Sequence, residues 1–152
     1  MSNSKHGPLP STEFTVELDG VDVPGFLEVQ LPTQETDQLD YREGDEAKHS
    51  RKLFGDTRYS PLVLARGAEE DNKRLDDWRK AVEEGKGEDA RKNIAVVLKD
   101  QAGTSVIRFE FTNAWIRKYD PPTLNAQASG GQNAIAVETY TVEFEEMKRK
   151  NV

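Results

Sequence analysis

The chain has no cysteine, which removes disulfides, thiolate nucleophiles and cysteine metal centres. Its two histidines, His6 and His49, are isolated in polar sequence, and neither has a carboxylate at ligand spacing, so no zinc site is assigned. Long apolar runs are missing as well. The opening MSNSKHGPLPSTEF lacks the apolar segment of a signal peptide, and no window is long enough to cross a bilayer. The expectation is a soluble protein made in the cytoplasm, with no membrane insertion. Basic excess is absent too. A net charge of −7 argues against a general nucleic-acid binder, which needs a basic face. There is no nucleophile elbow, phosphate loop or dinucleotide fingerprint. No catalytic residue and no cofactor is assigned.

What is present is alternation. Hydrophobic residues make up 35% of the chain against 32% charged. Such a lean core implies either extended polar segments or subunits that complete each other. Residues 1–11 read as a flexible arm, and residues 12–152 as one domain. Phe14, Val16 and Leu18 alternate with polar residues, and Asp19-Gly20 is a turn signal. Leu27, Val29 and Leu31 form a second alternating run, and Leu39 and Tyr41 mark a third over 38–43. Residues 44–57 have few apolar positions and read as a long functional loop. YSPLVLA at 59–65 is a short strand with Pro61 at an edge or bulge.

Residues 71–84 read as the single helix. Leu75, Trp78 and Val82 form one apolar stripe, with Asp71 or Asn72 to cap it and Gly85 beyond its end. A charged linker follows over 85–91. Strands are expected at Ile94–Leu98, at 106–115 and at 134–147, the last two separated by Asp120-Pro121-Pro122 and Ser129-Gly130-Gly131. Lys148-Arg149-Lys150 reads as a solvated tail. The spacing predicts a mainly β protein, an antiparallel two-sheet barrel or sandwich of about seven strands with one packed helix.

Paired carboxylates are the first chemistry to weigh. Glu110 and Glu138 lie on polar strand faces with no apolar pocket to raise a pKa. Glu69, Glu70, Asp71, Asp76 and Asp77 suit a helix N-terminus balanced by neighbouring lysines and arginines. Residues 48–58 are more distinctive. Lys48, Arg51, Lys52 and Arg58 stand against Asp56 alone, a local balance of +3 in a chain of −7, which leaves −10 elsewhere. Leu53 and Phe54 supply an apolar anchor. A solvated loop and a self-association loop both fit.

In order and spacing, several segments together resemble the tail tube proteins of contractile phage tails. These are FTVELDGVDVPGFLEVQLP, KLFGDTRYSPLVLARG, the helix with Trp78, FTNAWIRKYDPPTLNA and IAVETYTVEFEEM. The chain is also similar to the inner-tube proteins of extracellular contractile injection systems and, more remotely, to the Hcp tube protein of type VI secretion. The resemblance implies homo-hexameric rings stacked into a tube, with sheath, baseplate and spike proteins as partners and cargo in the lumen. It implies a place in a phage tail or an extracellular particle, and no specific nucleic-acid binding. Under it, Lys48, Arg51, Lys52, Leu53, Phe54, Asp56 and Arg58 form the inter-subunit loop. Glu28, Gln30, Gln38, Asp40, Arg42, Arg108, Glu110 and Thr112 are candidate lumen residues. A monomeric β-sandwich binding module, carbohydrate-binding or adaptor, is the alternative. A small hydrolase is the third reading and lacks a nucleophile–base pair.

Overall fold

The computed structural model describes residues 7–41, 51–70, 73–127 and 135–152. Its elements run β1 (Phe14–Leu18), β2 (Val21–Val23), β3 (Phe26–Gln30), β4 (Gln34–Tyr41), β5 (Arg51–Tyr59), β6 (Leu62–Gly67), α1 (Lys73–Glu83), α2 (Gly87–Ala90), β7 (Lys92–Lys99), β8 (Ser105–Asp120), β9 (Val137–Glu143) and β10 (Glu146–Asn151). All the strand pairings are antiparallel. β1 turns into β2 through Asp19 and Gly20, both at positive φ (50° and 82°), the backbone that a two-residue hairpin turn demands.

The 16-residue β8 belongs to two sheets. Its first half pairs with β7 and β10, and its second half pairs with β9. The first sheet is therefore β2-β1-β7-β8-β10 and the second is β8-β9-β6-β3. β4 and β5 form a separate two-stranded ribbon.

The strand changes sheets at Asn113, whose φ of 51° is one that asparagine tolerates better than most residues. Its Nδ2 donates to Glu145 Oε2 at 2.8 Å, and Glu145 N donates to Thr112 O at 3.0 Å. The extra residue shifts the alternation. Phe109 and Phe111 point inward before the kink, and Ala114 and Ile116 do so after it.

One core fills the sandwich. Val16, Leu18, Ile94, Val96 and Phe111 come from the first sheet, and Leu62, Leu64, Ile116, Tyr140 and Val142 from the second. Leu75 and Trp78 of α1 close it, each 1% exposed.

Several expectations are corrected. Among the described residues there are ten strands, where about seven were expected. Residues 51–57 of the expected loop are strand β5, and the linker after α1 contains the short helix α2. The last strand breaks at Phe144 and Glu145, and its charged tail is β10, paired residue by residue with β8. Trp115 is half-buried, because the Asn113 kink puts it on the face opposite Ala114 and Ile116. The arm residues 1–6, Arg42, residues 43–50 with Lys48 and His49, the caps Asp71 and Asn72, and Ser129-Gly130-Gly131 lie outside the described residues.

Candidate assembly surfaces

The second sheet has two edges without a neighbouring strand among the described residues. One is β3, which pairs only with β6. The other is the second half of β8, which pairs only with β9. Part of this edge is closed by the helix, where Arg79 Nη1 donates to Ile116 O at 2.9 Å. Such edges recruit further strands unless they are blocked.

The β4–β5 ribbon is tied to the sandwich at its base. Thr33 N donates to Ser60 Oγ at 2.8 Å, and the Tyr59 and Phe144 rings meet edge to face at 5.7 Å. An isolated two-stranded ribbon is marginal in water. Both of its faces carry apolar groups. Leu39 pairs with Leu53 on one face, which also holds Tyr41. On the other, Phe54 lies opposite Gln38 and beside the Asp40–Lys52 pair. Phe54 is 93% exposed.

A bulge sets Gly55 and Asp56 against Asp37. A Cβ at Gly55 would stand 2.9 Å from Asp37 Cβ and 3.1 Å from the Asp37 carbonyl oxygen. The basic character expected for this stretch is offset by β4. Arg58 is ion-paired with Asp37, Lys52 faces Asp40 and Arg58 faces Glu35. The anchor that remains is Leu53 and Phe54, with the Lys52 ammonium beside Phe54 on the same strand face.

On the outer face of the first sheet, Arg108 bridges Glu17 and Glu110, and Lys150 reaches Glu110 at 2.9 Å. Bonds from Lys150 and then Arg108 hold the Glu110 carboxyl below the usual range. Lys148 and Glu146 pair nearby at 3.6 Å. The long side chains cover Ala95 and Val97, which are buried on this outer face. Each positive group here has an acidic partner, so the ladder is self-neutralising.

A second polar group sits at one end of the core. Arg66 is 3% exposed, with its guanidinium over Phe26 at 5.7 Å and Nη2 3.6 Å from Glu69. Glu138, opposite Arg66 in register, accepts from Tyr119 Oη at 2.7 Å and Tyr140 Oη at 3.3 Å. Burial, and then the Glu138 carboxylate, push the Tyr119 phenol up to about 12. A raised phenol favours the folded state fully below the ordinary value of about 10, and that contribution is lost as pH climbs through about 12. An absorbance titration should therefore show Tyr119 ionising late, and Tyr119→Phe should remove its share of the late phase. Titration of all the phenols together near the ordinary value would contradict this contact.

The lumen candidates fall in three places. Arg108, Glu110 and Thr112 share the outer face of the first sheet. Glu28 and Gln30 are exposed on β3 of the second sheet. Gln38 and Asp40 are on the ribbon, and Arg42 lies outside the described residues. Of the loop candidates, Arg51, Lys52, Leu53, Phe54, Asp56 and Arg58 are together in β5. Arg66 and Asn113 were missed, although a single arginine ending an apolar strand and an asparagine breaking an alternation are visible signals. Among the described residues no group of His, Cys, Asp or Glu is placed to hold a metal, and no helix is long and apolar enough to cross a membrane.

Solved structures share this fold. The tube-terminating cap of the anti-feeding prophage superposes with a TM-score of 0.82 at 21% identity, covering 100% of this chain and 97% of that one. The PVC sheath–tube complex, an extracellular contractile injection system in the extended state, gives 0.82 at 23%, covering 100% and 99%. Hcp1 from Flavobacterium johnsoniae is more distant, at 0.55 and 16%, covering 91% and 95%. No curated protein sequence matches the chain. The family model described as T4-like virus tail tube protein gp19 matches residues 10–148. That match runs from before β1 into β10, taking in the ribbon and both helices, and the chain belongs to the T4-like virus tail tube protein family.

Proposed function

We propose that six copies close into a ring, that rings stack into a hollow tube, and that the tube conducts cargo inside a sheath. The observation that carries this is the second sheet, whose outer edges, on β3 and on the second half of β8, have no neighbouring strand among the described residues. Edge-to-edge pairing of one copy's β3 with the next copy's β8 continues the wall, and a closed circle leaves no edge. The two contacting patches differ, which is the heterologous geometry that produces rings. Similarity to a chain of a sheath–tube complex and to one of the anti-feeding prophage baseplate supports sheath and baseplate proteins as partners. Stacked rings of this kind belong to a phage tail or an extracellular injection particle.

Curvature decides which sheet faces the channel. Packed sheets stand about 10 Å apart, so in a ring of six the outer layer spans roughly 60 Å more circumference, about two strand spacings per copy. The four-stranded second sheet therefore goes inside and the five-stranded first sheet, with α1 beside it, outside. Glu28 and Gln30 then line the wall with Thr139 and Glu143, and Lys118 and Asp120, opposite Thr141 and Thr139, share that face as an ion pair at 3.5 Å. Arg108, Glu110 and Thr112 face outward, towards the sheath. The ribbon bridges to a neighbouring copy.

The cysteine-free chain makes this testable. In intact tubes, Gln30→Cys should resist a bulky maleimide reagent and Thr112→Cys should react. The opposite pattern would put the first sheet on the channel, and failure to form tubes at all would remove the proposal.

A further inference from the structure

We propose that Phe54 of one copy is a knob seated in the β1–β3 corner of another copy, steered by Lys52 against Asp22; this rests on the ring-and-tube reading above. Among the described residues the knob is the most exposed of the large hydrophobic side chains, at 93%. Leaving a phenyl ring in water forfeits about 1.5–3 kcal/mol of burial, so its position on a ribbon with nothing packed over it calls for a seat. Its own fold provides none, because the ring is in contact with solvent almost everywhere.

The seat is a hollow of about 180 Å³ lined by Phe14, Val16, Asp22, Val23, Pro24 and Phe26, among others. An apolar cavity of about 150 Å³ is known to take up benzene, so this one is sized for a phenyl ring. Val16 and Val23 form its buried floor, at 2% and 6% exposed. Asp22, exposed on β2, lies at its rim. On the ribbon, Lys52 and Phe54 are two residues apart on the same strand face. A copy that inserts Phe54 therefore brings an ammonium group to the rim where a carboxylate waits. Knob and seat are different patches of one chain, so the contact is heterologous and repeats from copy to copy. The two elements that flank the unpaired β3 edge, the seat before it and the ribbon after it, thereby lock the same junctions that the strand edge begins.

Absence of native cysteine gives a direct test. Phe54→Cys combined with Pro24→Cys should yield, on mild oxidation of assembled protein, a ladder of covalent oligomers that collapses on reduction. Neither single variant should go beyond a dimer. Phe54→Ala should raise the concentration needed for assembly at least about tenfold. Lys52→Glu should weaken assembly, and adding Asp22→Lys should restore it. Tubes forming from Phe54→Ala at the parent concentration, with no ladder from the double-cysteine protein, would overturn the seat while leaving the ring reading intact. A parent chain that never forms rings would instead overturn the reading beneath it, and the seat with it.

Discussion

Trp78→Ala is expected to destabilise the subunit by about 3–5 kcal/mol, the cost of emptying a large aromatic site in a core. A domain has only about 5–15 kcal/mol to lose, so part of the population should unfold near body temperature. The indole is 1% exposed, and its Nε1 donates to Ala90 O at 2.7 Å. It therefore holds α1 on the sandwich and pins α2 behind it. Losing it also frees Arg79 from Ile116 O, the bond that closes part of the open β8 edge. Urea unfolding followed through the remaining Trp115 should show a lower midpoint with the slope little changed. Trp78→Phe should cost less, about 1–3 kcal/mol, because the cavity is partly filled and one buried carbonyl is orphaned. Equal stability of Trp78→Ala and the parent would mean that the helix does not anchor this core.

Gly55→Val should do the reverse, sparing the subunit and abolishing the tube. The added Cβ would meet Asp37 Cβ at 2.9 Å and its carbonyl oxygen at 3.1 Å, both too rigid to step aside. The bulge must open, Arg58 loses its line to Asp37, and Phe54, next in the strand, is re-aimed. The ribbon is tied to the sandwich at its base, through Thr33, Ser60 and Tyr59. The urea midpoint should therefore move little, about 0.5 kcal/mol or less. Electron microscopy should show no long tubes at concentrations where the parent makes them. Normal tubes from Gly55→Val would show that ribbon geometry is irrelevant to assembly.

The contrast between these two substitutions matches what was legible in the sequence. Elements with one wet and one dry face were readable, including β1, the first half of β8 and the Trp78 stripe, because burial imposes a period on residue choice, and β7, buried on both faces at its centre, was readable as an apolar run. β5 was not, since a ribbon wet on both faces places no demand on its alternation. β10 hid for a related reason: Lys148 and Lys150 look like tail but pair across β8 with an acidic ladder whose members lie far away in sequence. The phase slip at Asn113 was missed although the asparagine interrupts the alternation: one residue in a left-handed conformation leaves composition unchanged while reversing the side chains after it. The candidate site was half legible. Leu53 and Phe54 stood out as misplaced hydrophobics, but the charge around them was misjudged because β4 supplies its counter-charges across the ribbon.

What the fold needs from its neighbours can be weighed in a single sample. Sedimentation equilibrium of the purified chain over a wide concentration range should give the mass of six 17.1 kDa subunits, with hollow particles or filaments at the upper end. A lone 17.1 kDa species that persists at the highest concentration would contradict a wall completed by identical copies.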